Sequence, residues 1–147
     1  MIIRFGERPR QDVKYRKRPG VYAILPRDGQ FLVTYQGAPH FEIQLPGGGI
    51  DPGEQPIHAL HREVMEETGW TIAQPRRLGA FRRFTYMPEY DLWAEKLCTI
   101  YVARPARRIG PPTETDHTPL WYNPESTMRE LYNEGDCFFV KKFLGLV

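Results

Sequence analysis

Cysteine is scarce in these 147 residues: Cys98 and Cys137 are the only two. Two thiols make no disulfide framework, and neither sits in a metal-ligand spacing. Both are expected as buried thiols of a reducing compartment, Cys98 in an apolar strand and Cys137 in a helix. An excess of one charge is also missing. Lys and Arg number 20 against 18 Asp and Glu, a net charge of +2 that requires no nucleic-acid partner. No apolar run reaches membrane length and no signal-peptide core opens the chain, so cytoplasmic residence without a membrane partner is the expectation. No internal repeat or low-complexity linker divides the sequence. A single domain over residues 1–147 is therefore expected, and it is long enough to bury a real core. The 41% hydrophobic and 26% charged residues fit a globular protein.

What charge there is clusters at the start. Residues 1–19 hold Arg4, Arg8, Arg10, Lys14, Arg16, Lys17 and Arg18 against Glu7 and Asp12. This basic extension reads first as a solvated face carrying a short strand at Met1–Phe5, and second as a surface for RNA or phosphates. Further strands are expected at Gly20–Leu25 and Gln30–Gln36, joined by an Asp28-Gly29 hairpin turn, then at Phe41–Leu45, Gly79–Tyr86, Glu95–Ala103 and Leu120–Tyr122. Met87–Trp93 reads as a connecting loop. Pro124 opens a helix to about Asn133, and Asp136 is expected to cap a last helix over Cys137–Leu144. This order suits a layered α/β domain with a mixed sheet.

The most informative stretch runs from Gly48 to Trp70. Pro46-Gly47-Gly48-Gly49 reads as a loop, because three glycines leave the backbone too free for a regular element. Such a loop lets backbone groups approach a ligand closely. Pro52-Gly53 marks a turn, Pro56 suits the first turn of a helix, and Gly69 suits its C-terminal cap. On that helix Ile57, Leu60 and Val64 form an apolar stripe. Glu63, Glu66 and Glu67 stand at i, i+3 and i+4 and share another face. Three carboxylates on one turn repel each other by a few tenths of a kcal/mol per pair. A hard divalent cation would remove that repulsion. All-oxygen ligation favours Mg²⁺ or Mn²⁺, and Mg²⁺ commonly joins a few carboxylates to substrate phosphates. Taken alone, an E-x-x-E-E cluster is usually just a solvated face.

The spacing settles which reading to prefer. Gly48, Glu54, Arg62, Glu63, Glu66, Glu67 and Gly69 together resemble the Nudix box, the signature of the Nudix hydrolases. At roughly 6% usage per residue type, seven such matches arise by chance with odds on the order of 10⁻⁹. Trp70 stands where the family usually has an aliphatic residue, and it keeps the position bulky and apolar. The resemblance implies the Nudix fold, an α/β/α sandwich with a mixed sheet. It also implies metal-dependent attack of water on a phosphorus atom of a nucleoside diphosphate linked to another moiety. It assigns Glu63, Glu66, Glu67 and the Gly47 carbonyl to a divalent metal, Mg²⁺ or Mn²⁺. Arg62 would hold a carboxylate in position, and Glu54 looks structural. The general base is either Glu63 or a residue outside the box, for which Glu114 is the best candidate, with His117 a rival on a loop. A small nucleotide is the expected substrate, with Arg82 or its neighbour Arg83, Phe84 and Tyr86 as candidate contacts. Cleavage at RNA 5′ ends and a non-catalytic nucleotide-binding module are the alternatives. Dimers are common in the family.

Overall fold

The computed structural model describes residues 2–147, so Met1 of the expected first strand lies outside the described residues. Twelve elements follow in order: β1 (Ile3–Phe5), β2 (Arg16–Ile24), β3 (Pro26–Arg27), β4 (Gln30–Gln36), β5 (Glu42–Gln44), β6 (Gly47–Gly49), α1 (Pro56–Thr68), β7 (Trp70–Met87), β8 (Leu92–Arg108), β9 (His117–Tyr122), α2 (Pro124–Glu130) and α3 (Glu134–Phe143). They form an α/β fold with two sheets. The larger, in order β1-β7-β8-β2-β6, is mixed: β1 with β7 and β2 with β8 run parallel, the other pairs antiparallel. The smaller is antiparallel, with β4 between β5 and β9 and the short β3 continuing it.

Helices cover both faces of the larger sheet. On one side Ala59, Leu60 and Val64 of α1 pack on Val21, Ala23, Tyr101 and Ala103. On the other side Phe139 and Val140 of α3 join Ile24, Phe81, Ile100 and Val102 with Phe31 and Val33 of the smaller sheet. Alternation along each strand assigns neighbouring residues to opposite cores, as the two-residue period requires. Ile57 does not join its expected stripe and stays 39% exposed, while Ala59 takes its place in the core.

Several boundaries differ from the sequence expectation, each for a local reason. β7 and β8 are far longer than Gly79–Tyr86 and Glu95–Ala103, and the Met87–Trp93 loop shrinks to a turn at residues 88–91. Pro75 concealed the extension, yet it falls at an irregularity between Ala73 and Arg76, where a missing N–H breaks no ladder bond. The basic segment is not all extension, since Arg16–Arg18 already pair with β8. The glycine run is a strand, not a loop, with Tyr22 opposite Gly47 and Gly20 opposite Gly49. At Gly47 φ is +150°, and a Cβ there would collide with the Val21 carbonyl.

The C-terminal caps also shift. α2 ends at Glu130, and α3 begins at Glu134 behind Asn133, whose side chain accepts from the Gly135 N–H at 2.8 Å. Asp136 is therefore not the cap but a buried residue within the first turn. The same turn presses Gly135 onto the Phe81 ring, so a Cβ there would enter the ring's van der Waals shell. Gly135→Ala should cost about 1–3 kcal/mol by overpacking, read as a lower urea midpoint with an unchanged m value; an unshifted midpoint would show that α3 yields without cost.

Candidate active site

A cleft of about 1200 Å³ opens between the two sheets. The acidic helix lines one end. Pro56 stands at its first turn, and Gly69, at φ +76°, closes it by donating its N–H to the Met65 carbonyl. Every glycine of β6 meets one residue of this helix. The Gly47 N–H donates to Glu67 Oε1 at 3.1 Å. A Cβ on Gly48 would lie 2.5 Å from Glu63 Oε2, so any side chain there would displace that carboxylate. The Gly49 carbonyl accepts from Arg62 Nη2 at 3.1 Å.

Arg62 is the hub of this network. Its Nε and Nη2 donate to the two oxygens of Glu54 at 2.7 and 2.8 Å, a bidentate pair. Its Nη1 donates to Glu63 Oε1 at 2.9 Å and reaches Glu66 Oε1 at 3.3 Å. Glu54 also accepts the Asp51 N–H at 3.0 Å. With these donors, Arg62 first among them, its carboxyl is held far below the usual carboxylate range. Glu54 thus ties the Pro52-Gly53 turn to the helix and holds Arg62 in place.

The remaining carboxylates are electrostatically opposed. Burial pushes Glu67 well up, against the Gly47 N–H that favours its ionised form, and Glu63 and Glu114 add repulsion. Burial also raises Glu63, opposed by Arg62. Glu114 rises by desolvation and by the nearby charges of Glu66 and Asp116. Its backbone N–H donates to the Glu66 carbonyl at 2.9 Å, which sets this loop against the end of α1.

The structure brings Gly47, Glu63, Glu67 and Glu114 to the cleft wall, while Glu66 sits to the side, reached through Arg62 and Glu114. Among the described residues no three His, Cys, Asp or Glu side chains close on a single point in the manner of a finished metal cage. The donors nevertheless fit a hard divalent cation in kind. They are all oxygen, and the neighbouring carboxylate charges add to the burial that raises Glu63, Glu67 and Glu114.

Of the substrate contacts expected on β7, Arg82 and Phe84 do not line the cleft. Arg82 Nε reaches Glu95 Oε2 at 3.2 Å, and the Phe84 ring packs edge-on against Tyr15, both on the sheet's far side. The strand's alternation turns Arg83 and Thr85 inward instead. Tyr86 remains at the rim, its hydroxyl donating to Asp91. His117 is not an exposed loop residue. It is buried at the start of β9, with Nδ1 2.9 Å from Thr34 Oγ1 and Nε2 3.4 Å from Glu67 Oε2, and burial lowers its pKa. Its alternation with Pro119 and Trp121 was the available signal. Tyr22 and Asp136, neither marked as site residues by sequence, also face the cleft.

An acid-lined cleft between two sheets, with helices outside, defines the class, and comparison supplies the family. A family model of the NUDIX domain matches residues 14–141, and the chain belongs to that family. The NUDIX hydrolase from Nitrosomonas europaea superposes with a TM-score of 0.74 at 16% identity, covering 88% of this chain and 90% of that one. The MutT protein from Bacillus halodurans gives 0.71 at 20% identity, covering 86% and 82%. At these identities the likeness is one of fold. The RNA pyrophosphohydrolase of Proteus mirabilis (strain HI4320) is 37% identical over 73 residues, 50% of this chain and 40% of that protein. A Bacillus subtilis (strain 168) protein that carries a provisional 8-oxo-dGTP diphosphatase name is 34% identical over 76 residues, 50% of each. The chain spans half or less of the length of these curated relatives.

Asp136 gives a pH test of this geometry. It is buried beside the cleft, with only the Leu45 N–H at 3.4 Å as a donor, and burial lifts its carboxyl from 3.8 to about 7. The folded state therefore holds the proton more tightly than the unfolded chain. That stability is fully present below the unfolded pKa and is lost as pH rises toward 7. Asp136→Asn should remove this loss, so thermal melts at about pH 3.5 and pH 8 should find wild type and variant close at the lower pH and separated by a few kcal/mol at the higher. Parallel pH profiles for the two proteins would place the charge of Asp136 in water.

Proposed function

We propose that the chain is a metal-dependent pyrophosphohydrolase acting on a small nucleotide that contains a P–O–P linkage. The observation that carries this is the complete set of box contacts, in which Gly47, Gly48 and Gly49 each meet one of Glu67, Glu63 and Arg62. The names of relatives on both the small-nucleotide and the RNA 5′-end side support the reaction class. The modest charge of +2 favours the small nucleotide.

Glu63, Glu66, Glu67 and the Gly47 carbonyl would hold Mg²⁺ or Mn²⁺, which when bound would neutralise phosphate charge and lower the pKa of water. Glu114 is the general base favoured here. It lines the cleft, no side-chain hydrogen bond engages it among the described residues, and its raised pKa equips it to take a proton. Glu63 is less free, because Arg62 holds one of its oxygens. As the water oxygen bonds to phosphorus, its proton passes to Glu114. The bridging P–O bond breaks, and its electrons leave with the departing phosphate. Arg62, locked by Glu54, keeps Glu63 aimed at the cleft throughout.

Purified protein incubated with Mg²⁺ and a panel of nucleoside triphosphates, dinucleoside polyphosphates and nucleotide sugars should release a phosphate-bearing product from at least one. Silence across the panel would remove the reading. Glu67→Gln keeps an oxygen for the Gly47 N–H, so the fold should survive while kcat falls by at least about 10²-fold. Glu114→Gln should lower kcat with little change in KM; an unchanged kcat would return the base to Glu63.

A further inference from the structure

The cleft floor carries charge of the opposite sign to its acidic end. Arg18 of β2 is registered opposite Lys96 of β8, and Lys96 is registered opposite Arg83 of β7. Registered neighbours share a face, and all three line the cleft. Three adjacent strands thus set three cations on a single rung, with a strand spacing of ~4.8 Å and a total width of about 10 Å. Like charges directly opposite each other destabilise a sheet. Among the described residues no carboxylate lies within ion-pair distance of any of the three. Their recorded partners are aromatic: Arg18 lies 4.6 Å from the Tyr90 ring and Lys96 Nζ 5.8 Å from the Tyr22 ring. The nearby acid is Asp136, and its carboxyl near pH 7 is only a partial counter-charge.

The rung is set apart from the acidic end. Tyr22 stands opposite Gly47, and Arg18 lies four residues back along the same strand, about 13 Å at ~3.3 Å per residue. A nucleoside fits between two such points.

We infer that this rung binds a second phosphate of the substrate, a phosphomonoester on the moiety away from the scissile anhydride. This rests on the hydrolase reading for its orientation, but the site's preference for a dianion does not. A compact group of three cations suits one doubly charged monoester. Arg16 and Lys17 of β2 also line the cleft, further out along the same strand.

The test compares adenosine 3′,5′-bisphosphate with adenosine 5′-monophosphate by calorimetry in Mg²⁺ buffer, on wild type and on the double variant Arg83→Gln/Lys96→Gln. Neither nucleotide contains an anhydride, so binding is measured whether or not the protein hydrolyses anything. The bisphosphate should bind wild type about tenfold tighter or more, the worth of one charge-assisted contact. The double variant should lose that preference. Equal affinity of the two nucleotides for wild type, or a preference that persists in the variant, would overturn the inference. Tighter binding of a 5′-phosphorylated dinucleotide than of the bisphosphate would also overturn it, in favour of an RNA chain. Failure of the nucleotide panel alone would remove the hydrolase reading and leave the dianion site standing.

Discussion

The approach of the glycine strand to the acidic helix is the contact on which the rest of the site depends. β6 lies against β2 only because Gly47 has no side chain to strike the Val21 carbonyl. From there one backbone N–H holds Glu67, one missing Cβ makes room for Glu63, and one carbonyl receives Arg62. A methyl group at Gly47 would strike β2, and one at Gly48 would displace the Glu63 carboxylate. The carboxylates would then lose their common orientation, though each would remain on the same helix face.

Charge organises what this contact positions. Arg62 shares its guanidinium among Glu54, Glu63 and Glu66, which keeps one end of the acidic group compact. Glu67 has no such cation; it rests on a backbone N–H and beside a neutral, buried His117. The cleft is thus negative at the helix and positive at the Arg18–Lys96–Arg83 rung. Such polarity draws an anionic group to the rung, whereas the acidic end would receive a phosphate only with a divalent cation bound.

Much of this was legible from the chain, and the limits were physical. The bounds of α1 follow from Pro56 and Gly69, and its acidic face follows from the i, i+3, i+4 spacing. The strand formed by Gly47–Gly49 was not legible, because glycine propensity argues against a strand and the stabilising partners are distant in sequence. Pro75 hid the length of β7 until the irregularity beside it was visible. Alternation signalled that Arg82 and Arg83 point opposite ways, but only the partner strands decide which one faces the cleft. The cationic rung was likewise invisible, since it joins residues from three separated segments by register alone. Asp136 looked like a cap because Asp often is one, while Asn133 supplied that role three residues earlier.

The two sheets divide the labour of the cleft unevenly. Arg18, Lys96 and Arg83 occupy the far ends of strands whose middle residues, Val21, Ile100 and Phe81, anchor the cores. Exchanging those three side chains leaves the anchoring layer and the glycine–helix contact untouched. Descendants of this chain could therefore wander in ligand preference by drift at the rung alone, while inheriting the reacting end unchanged.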